Sequence, residues 1–263
     1  MTTLKLISPP FDEWYKLGQL EDLISVPAGL CILAKKTKDI AQVSVYDGMY
    51  KPLDETLAEA RGDFVGVTGL YSTHHSALRL LKEAKKSGAT TIYGGFHAGP
   101  LAKQLLANHE FIDYVVRGDG EEALPKIIKG ERKETIPGLT YRQSGSIKSN
   151  KPKPVRLDTT FDLEDLTHLD NFNKDNYFPI SSIRGCIKAE QSDRCTFCSI
   201  EHPLRVMKPE NVWEQVRLLY EKYGVTKFWE TGDMFTVGTF PKRLLQSRPA
   251  DLSHIAFRMY LAP

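Results

Sequence analysis

Short apolar runs alternate with longer amphipathic stretches along the first 140 residues. The runs Leu4–Ile7, Gln42–Tyr46, Phe64–Gly69, Thr90–Tyr93 and Tyr114–Arg117 are brief and bounded by Gly or Asp. Val43, Val45, Val65, Val67, Val115 and Val116 give them a β-branched bias, and the pattern predicts five strands. The intervening stretches have helical spacing and readable ends. One helix is expected to open near Ser25 and Pro27 and to run through Leu30, Ile32 and Leu33 to the basic turn Lys35–Lys38. Another places Leu78, Leu81 and Ala84 on one face and stops at Gly88. Pro100–His109, with Leu101 and Leu105 one turn apart, and Glu121–Lys129 complete the set. Strands alternating with helices imply a parallel sheet covered on both faces. The expectation for residues 1–140 is therefore a doubly wound, flavodoxin-like α/β domain.

Beyond this the rhythm changes. Pro137–Tyr141 and Ser146–Ser149 read as a small hairpin around Ser144-Gly145. A stretch rich in Lys and Pro (Lys151–Pro154), then in Asp, lacks periodicity, so residues 141–177 read as a linker with local turns. A new strand is expected at Pro179–Ile183, leading into Arg184-Gly185-Cys186. Pro209–Tyr223 is the clearest helix of the chain. It has Pro at its start, Glu210 in its first turn, Val212, Val216 and Leu219 on one face, and Gly224 at its end. Thr226–Glu230 and Ile255–Tyr260 read as strands around a short helix near Lys242–Gln246. Residues 178–263 thus form a second β/α unit.

Composition narrows the class. With 41% hydrophobic and 26% charged residues the chain is ordinary for a globular protein. A formal net charge of +2 gives no reason to invoke nucleic acid or an anionic membrane. No apolar run approaches the ~20 residues of a membrane span, and Met1–Lys5 opens no signal peptide, so a cytoplasmic protein is expected. Of four cysteines, three fall between Cys186 and Cys198, which suggests a metal before a disulfide.

The three are spaced C-x8-C-x2-C, at Cys186, Cys195 and Cys198. Three soft thiolates in one loop suit a 4Fe–4S cluster, leaving one iron without a protein ligand. His202 follows Cys198 closely, so a Cys3His zinc site is chemically sensible as well. Spacing alone does not choose between them. Cys31, among Leu30, Ile32 and Leu33, reads as a small buried apolar residue. In the first domain, three polar, glycine-rich segments end successive strands: Thr68-Gly69-Leu70, Gly94-Gly95-Phe96-His97-Ala98 and Arg117-Gly118-Asp119-Gly120-Glu121-Glu122. Open α/β sheets bind ligands outside the carboxyl ends of their strands, and glycine lets the backbone approach a bulky ligand. By themselves these loops would fit a nucleotide equally well.

Arg184-Gly185-Cys186 followed by Cys195-Thr-Phe-Cys198 resembles the cluster loop of the radical S-adenosylmethionine superfamily, in which an aromatic residue precedes the third cysteine; Phe197 stands there. The usual spacing is C-x3-C-x2-C, so five extra residues lie within Ile187–Arg194. The family commonly carries Gly-Gly-Glu after the second barrel strand to bind the methionine amino group. This chain has Glu230-Thr231-Gly232-Asp233 instead. The resemblance makes Phe197, Glu230, Gly232, Asp233 and Arg258 the candidate S-adenosylmethionine contacts. The order and spacing of Phe64–Gly130 resemble the cobalamin-binding domain of cobalamin-dependent radical S-adenosylmethionine enzymes. It makes Thr68, Gly69, Leu70, Gly94, Gly95, His97, Gly118, Gly120 and Glu121 the candidate cobalamin contacts. The Asp-x-His-x-x-Gly motif that supplies a lower axial histidine is absent, which implies a base-off, histidine-off cobalamin, with His97 toward the corrinoid tail. His74 and His75 read as helix-start residues.

The resemblance implies a cofactor set of a 4Fe–4S cluster, S-adenosylmethionine and cobalamin. It also implies a reductant such as flavodoxin or ferredoxin, and methylation or another radical transformation of an unactivated carbon in a small molecule. The residues after Cys186 suffice for three β/α units, whereas the family's barrel has six, so a partial, truncated barrel is expected. Two rival readings stand beside it. One is a corrinoid carrier or sensor with a degenerate radical domain; the other is a Cys3His zinc module without redox chemistry.

Overall fold

The computed structural model describes residues 1–13, 26–157, 169, 172–190, 194–198, 200 and 203–259. The chain divides into two compact units, Met1–Gly18 with Gly29–Val155, and Gln19–Ala28 with Arg156–Pro263.

The first unit runs β1 (Thr3–Ser8), α1 (Ala28–Thr37), β2 (Gln42–Asp47), α2 (Leu53–Ala58), β3 (Phe64–Thr68), α3 (His74–Lys86), β4 (Thr90–Gly94), α4 (Ala102–Asn108), β5 (Tyr114–Val116), α5 (Ala123–Ile128), β6 (Leu139–Gln143) and β7 (Ser146–Ser149). Its sheet has the order β2-β1-β3-β4-β5-β6-β7. The first five strands are parallel in the doubly wound arrangement, with the direction of winding reversing between β1 and β3. Strand pleating sorts the core. Leu4 and Leu6 pack with Leu30, Ile92, Leu124 and Ile127 on one face, under α1 and α5. Val65, Val67, Leu80, Leu81, Leu105 and Leu106 pack on the other, under α3 and α4. Each such side chain, fully buried, stabilises the fold by roughly 1.5–3 kcal/mol.

Three features differ from the sequence-based expectation. The hairpin belongs to the sheet: β6 pairs antiparallel with β5, Tyr114 opposite Tyr141, and buries Leu139 and Tyr141. The sheet is therefore mixed rather than wholly parallel. On α3 the inward face is Ala77, Leu80, Leu81 and Ala84, while Leu78 lies at its edge. The six-residue α2 was hidden by its single turn and a half.

The second unit runs β8 (Phe178–Ile180), β9 (Ile183–Arg184), α6 (Ile187–Glu190), β10 (Arg205–Val206), α7 (Pro209–Tyr223), β11 (Lys227–Glu230), α8 (Phe240–Gln246) and β12 (Ala256–Met259). β8, β11 and β12 form a parallel sheet in the order β12-β11-β8, while β9 and β10 pair antiparallel. The expected strand at Pro179–Ile183 is thus two short strands with a break at Ser181-Ser182. α7 keeps its predicted bounds. Gly224 takes the left-handed conformation that ends it, φ 71°, and its N–H bonds the Tyr220 carbonyl. Beneath it Phe178, Phe228, Phe257 and Trp213 pack ring against ring, and the Trp213 indole N–H reaches the Leu244 carbonyl at 2.9 Å. Tyr260 and His202 lie outside the described residues.

Candidate functional site

In the first unit the three glycine-rich loops stand at the carboxyl ends of β3, β4 and β5. The first two are joined backbone to backbone: the Gly69 N–H donates to Gly94 O at 3.0 Å, and the His97 N–H to Gly69 O at 3.1 Å. This closeness demands glycine. A Cβ on Gly69 would stand 2.4 Å from the Tyr93 hydroxyl, and one on Gly95 (φ +95°) 2.7 Å from Thr68 Oγ1. The third loop is held by the hairpin. Arg117 donates its backbone N–H to Gly138 O and its guanidinium to Asn150 O at 2.7 Å, and Asp119 accepts the Val155 N–H. Among these loops Leu70, Tyr71 and Phe96 are 41%, 73% and 64% exposed, a surface of apolar rings and chain beside polar backbone.

Sequence reasoning passed over a cluster at the point where the winding reverses. Asp12, in the loop after β1, is buried, and its carboxylate accepts the backbone N–H groups of His75 at 3.0 Å and Ser76 at 2.8 Å. The neighbouring Thr73 makes no side-chain cap, so Asp12 caps α3 from a distant part of the chain. His74 lies against Tyr93, with Nδ1 and the hydroxyl 3.1 Å apart, and edge-on to His97 with ring centroids 4.5 Å apart. Burial pushes the Tyr93 phenol upward. It pulls His74 down to about 4, with the His97 and His75 rings adding to the effect. The contact is therefore one between a protonated phenol and a neutral imidazole. His97 is also lowered by burial. The site offers neutral imidazoles, backbone polar groups and apolar rings to a large ligand. That donor set fits an amphipathic, corrinoid-sized group, and it contains no Asp-x-His-x-x-Gly histidine.

In the second unit Cys186 directly follows β9 and leads into α6. Cys195 and Cys198 share one turn, closed by the Cys198 N–H to Cys195 O at 3.0 Å. The Cys198 sulfur accepts the Ile200 N–H at 3.4 Å, and Arg194 braces the turn through the Cys198 and Ile200 carbonyls. Phe197 is 90% exposed. Among the described residues, no three His, Cys, Asp or Glu side chains stand together in a metal-binding group. Cys195 and Cys198 are held in one turn by their backbone, and Cys186 enters from the end of β9. The chemistry of the set, three soft thiols near a bonded N–H, still suits iron.

The residues after β11 are placed differently from one another. Glu230 is buried, its carboxylate taking up the Ser182 N–H, the Ser182 hydroxyl at 2.5 Å and the Gly232 N–H at 2.8 Å. Its carboxylate is turned onto Ser182 and Gly232. Burial raises its pKa to about 7, against the pull of the Ser182, Gly232 and Ile183 donors. Asp233 accepts the Gly185 N–H at 2.8 Å. Arg258 lies over the Trp229 ring at 5.3 Å.

These arrangements have counterparts. A B12 binding domain model matches residues 23–128. An uncharacterized methyltransferase of Pyrococcus horikoshii is 25% identical over 252 residues, 88% of this chain and 53% of that protein. An anaerobic magnesium-protoporphyrin IX monomethyl ester cyclase of Cereibacter sphaeroides is 27% identical over 198 residues, covering 68% of this chain and 31% of its own. The chain spans about half the length, or less, of these curated relatives. Among solved structures, the radical S-adenosylmethionine methyltransferase TsrM from Kitasatospora setae, with cobalamin and a 4Fe–4S cluster bound, superposes with a TM-score of 0.76 at 17% identity. That match covers 99% of this chain and 54% of the other. Residues 23–128 thus match the B12 binding domain family, and the chain shares the fold of the TsrM chain over 99% of its length.

Proposed function

We propose that this chain is the cofactor-bearing part of a radical S-adenosylmethionine enzyme that uses cobalamin to methylate an unactivated carbon of a small molecule. The observation that carries this reading is the succession of sites. A glycine-stapled loop cradle at the carboxyl ends of β3 to β5 is followed, after β8 and β9 of a second parallel unit, by a Cys186, Cys195, Cys198 loop. Cys186, Cys195 and Cys198 would hold a 4Fe–4S cluster. Phe197, Gly232, Asp233 and Arg258 would contact S-adenosylmethionine beside it. Glu230 leaves that set because its carboxylate is filled from within. Cobalamin would rest on Thr68, Gly69, Leu70, Gly94, Gly95, His97, Gly118, Gly120 and Glu121. When bound, the cluster supplies the electron for reductive cleavage of S-adenosylmethionine, and cobalamin carries the methyl group.

The chain's own part is binding and exclusion. Gly69 and Gly95 let the two loops close on Tyr93 and on each other, and neutral His74 and His97 add polarity without charge. The test is anaerobic reconstitution of the 263-residue chain with iron, sulfide and hydroxocobalamin. Bound iron with acid-labile sulfide, bound cobalamin and 5′-deoxyadenosine from S-adenosylmethionine under a strong reductant support the reading. Zinc without sulfide overturns it. A second reading, a corrinoid carrier, draws on the lack of a metal-binding group of three His, Cys, Asp or Glu side chains among the described residues. It predicts bound cobalamin with neither iron nor 5′-deoxyadenosine.

A further inference from the structure

The segment Glu230–Asp233 meets the segment Ile180–Gly185 at every residue, and Cys186 is the next residue along. The Thr231 N–H and hydroxyl both donate to Ile180 O, at 2.8 and 3.2 Å. Glu230 takes the Ser182 N–H and hydroxyl. Gly232 lies so close that a Cβ there would stand 2.6 Å from Ile183 O. Asp233 takes the Gly185 N–H, in a residue whose φ of 88° turns the chain sharply into Cys186. From the other side β10 pairs with β9, and the Met207 N–H donates to Ser182 O at 2.8 Å. The root of the cysteine loop is thus gripped on two sides, while Cys195 at its far end is exposed.

We propose that Asp233 is a positioning residue for the first cysteine: by fixing the Gly185 N–H it sets where the Cys186 thiol is presented, with Glu230 pinning the strand behind it. This rests on the reading of Cys186 as a cluster ligand and deepens it. It gives the β11 loop a second task besides any contact with S-adenosylmethionine. It also explains how one ligand can be placed independently of a spacer eight residues long: the spacer need only deliver Cys195 and Cys198 to a thiol already in position. A carboxylate that holds the backbone of the residue before a ligand is the kind of outer contact whose loss weakens metal retention by about 10–100-fold.

The experiment uses the reconstituted chain, challenged with a ferrous chelator, with iron retention and the electron paramagnetic resonance of the reduced cluster as readouts. Asp233→Ala is expected to lose iron about 10–100-fold more readily and to alter the cluster signal. Asp233→Asn keeps an acceptor for the Gly185 N–H and is expected to retain iron, and to give the cluster signal, as the unaltered protein does. In a Cys186→Ala background, Asp233→Ala is expected to add nothing, because the two changes act on one ligand. Far-ultraviolet circular dichroism and the thermal midpoint report that each variant is folded. The inference is overturned if Asp233→Ala retains iron normally, if Asp233→Asn fails as badly, or if the effect persists without Cys186. Failure of the unaltered chain to take up iron and sulfide overturns the cluster reading itself, and this inference with it.

Discussion

Burial moves Glu230 and His74 in opposite directions, and opposite pH dependences follow. Glu230 titrates near 7 in the folded chain, so between pH 4.5 and 7 the fold holds a proton that the unfolded chain has released. Its contribution is fully present below 4.5 and is lost as pH rises through 7, on the order of 3 kcal/mol. Chemical denaturation across that range should show the decline, and Glu230→Gln should flatten it. His74 titrates near 4, so its contribution is present above 6.5 and is lost as pH falls through 4. A ring-proton titration by nuclear magnetic resonance checks this; a midpoint at 6.5 would contradict the packing against Tyr93. Gly138 offers a third test. At φ 70° its Cβ would stand 2.2 Å from the Arg117 carbonyl. Gly138→Ala should therefore cost about 1–3 kcal/mol, read as a lowered thermal midpoint, and should loosen the Arg117–Glu122 loop.

Elements announced themselves in the sequence where their ends carried local chemistry. α7 has Pro209 at its start and Gly224 at its end, and both signals are local, so its bounds were readable. The turn Ser144-Gly145 was readable for the same reason, both residues having positive φ. That its hairpin extends the sheet was not readable, because Leu139 and Tyr141 acquire their burial from β5 and the helices behind it. β9 and β10, two residues each, leave no period to detect. The candidate site divides likewise. Cysteine spacing and glycine-rich strand ends are visible as letters, whereas the inward turn of Glu230 depends on Ser182, 48 residues away. α3 depends on such a distant partner too. Asp12→Ala removes the acceptor for two helix N–H groups and should cost about 1 kcal/mol, up to ~2, measured by denaturation.

For the molecule as a whole, each unit completes its own candidate site from its own backbone. The cradle loops bond to one another and to the β6–β7 hairpin, and the cysteine loop is rooted on β9, β10 and the β11 loop. Cys195→Ala with Cys198→Ala should therefore abolish iron uptake while leaving cobalamin affinity unchanged, as followed by the corrinoid absorbance. A parallel fall in both would refute the separation. The tie from Asp12 to α3 carries its own consequence for kinetics. The loop leaving β1 and the start of α3 are joined across the reversal of the sheet by the Asp12 carboxylate and by the Asp12 N–H to Ser72 O at 2.8 Å. Whatever settles on that end of the sheet either leaves the link closed or opens it, and the amide protons of His75 and Ser76 would then exchange with solvent together. Their exchange lifetimes become a clock for occupancy, read without any turnover.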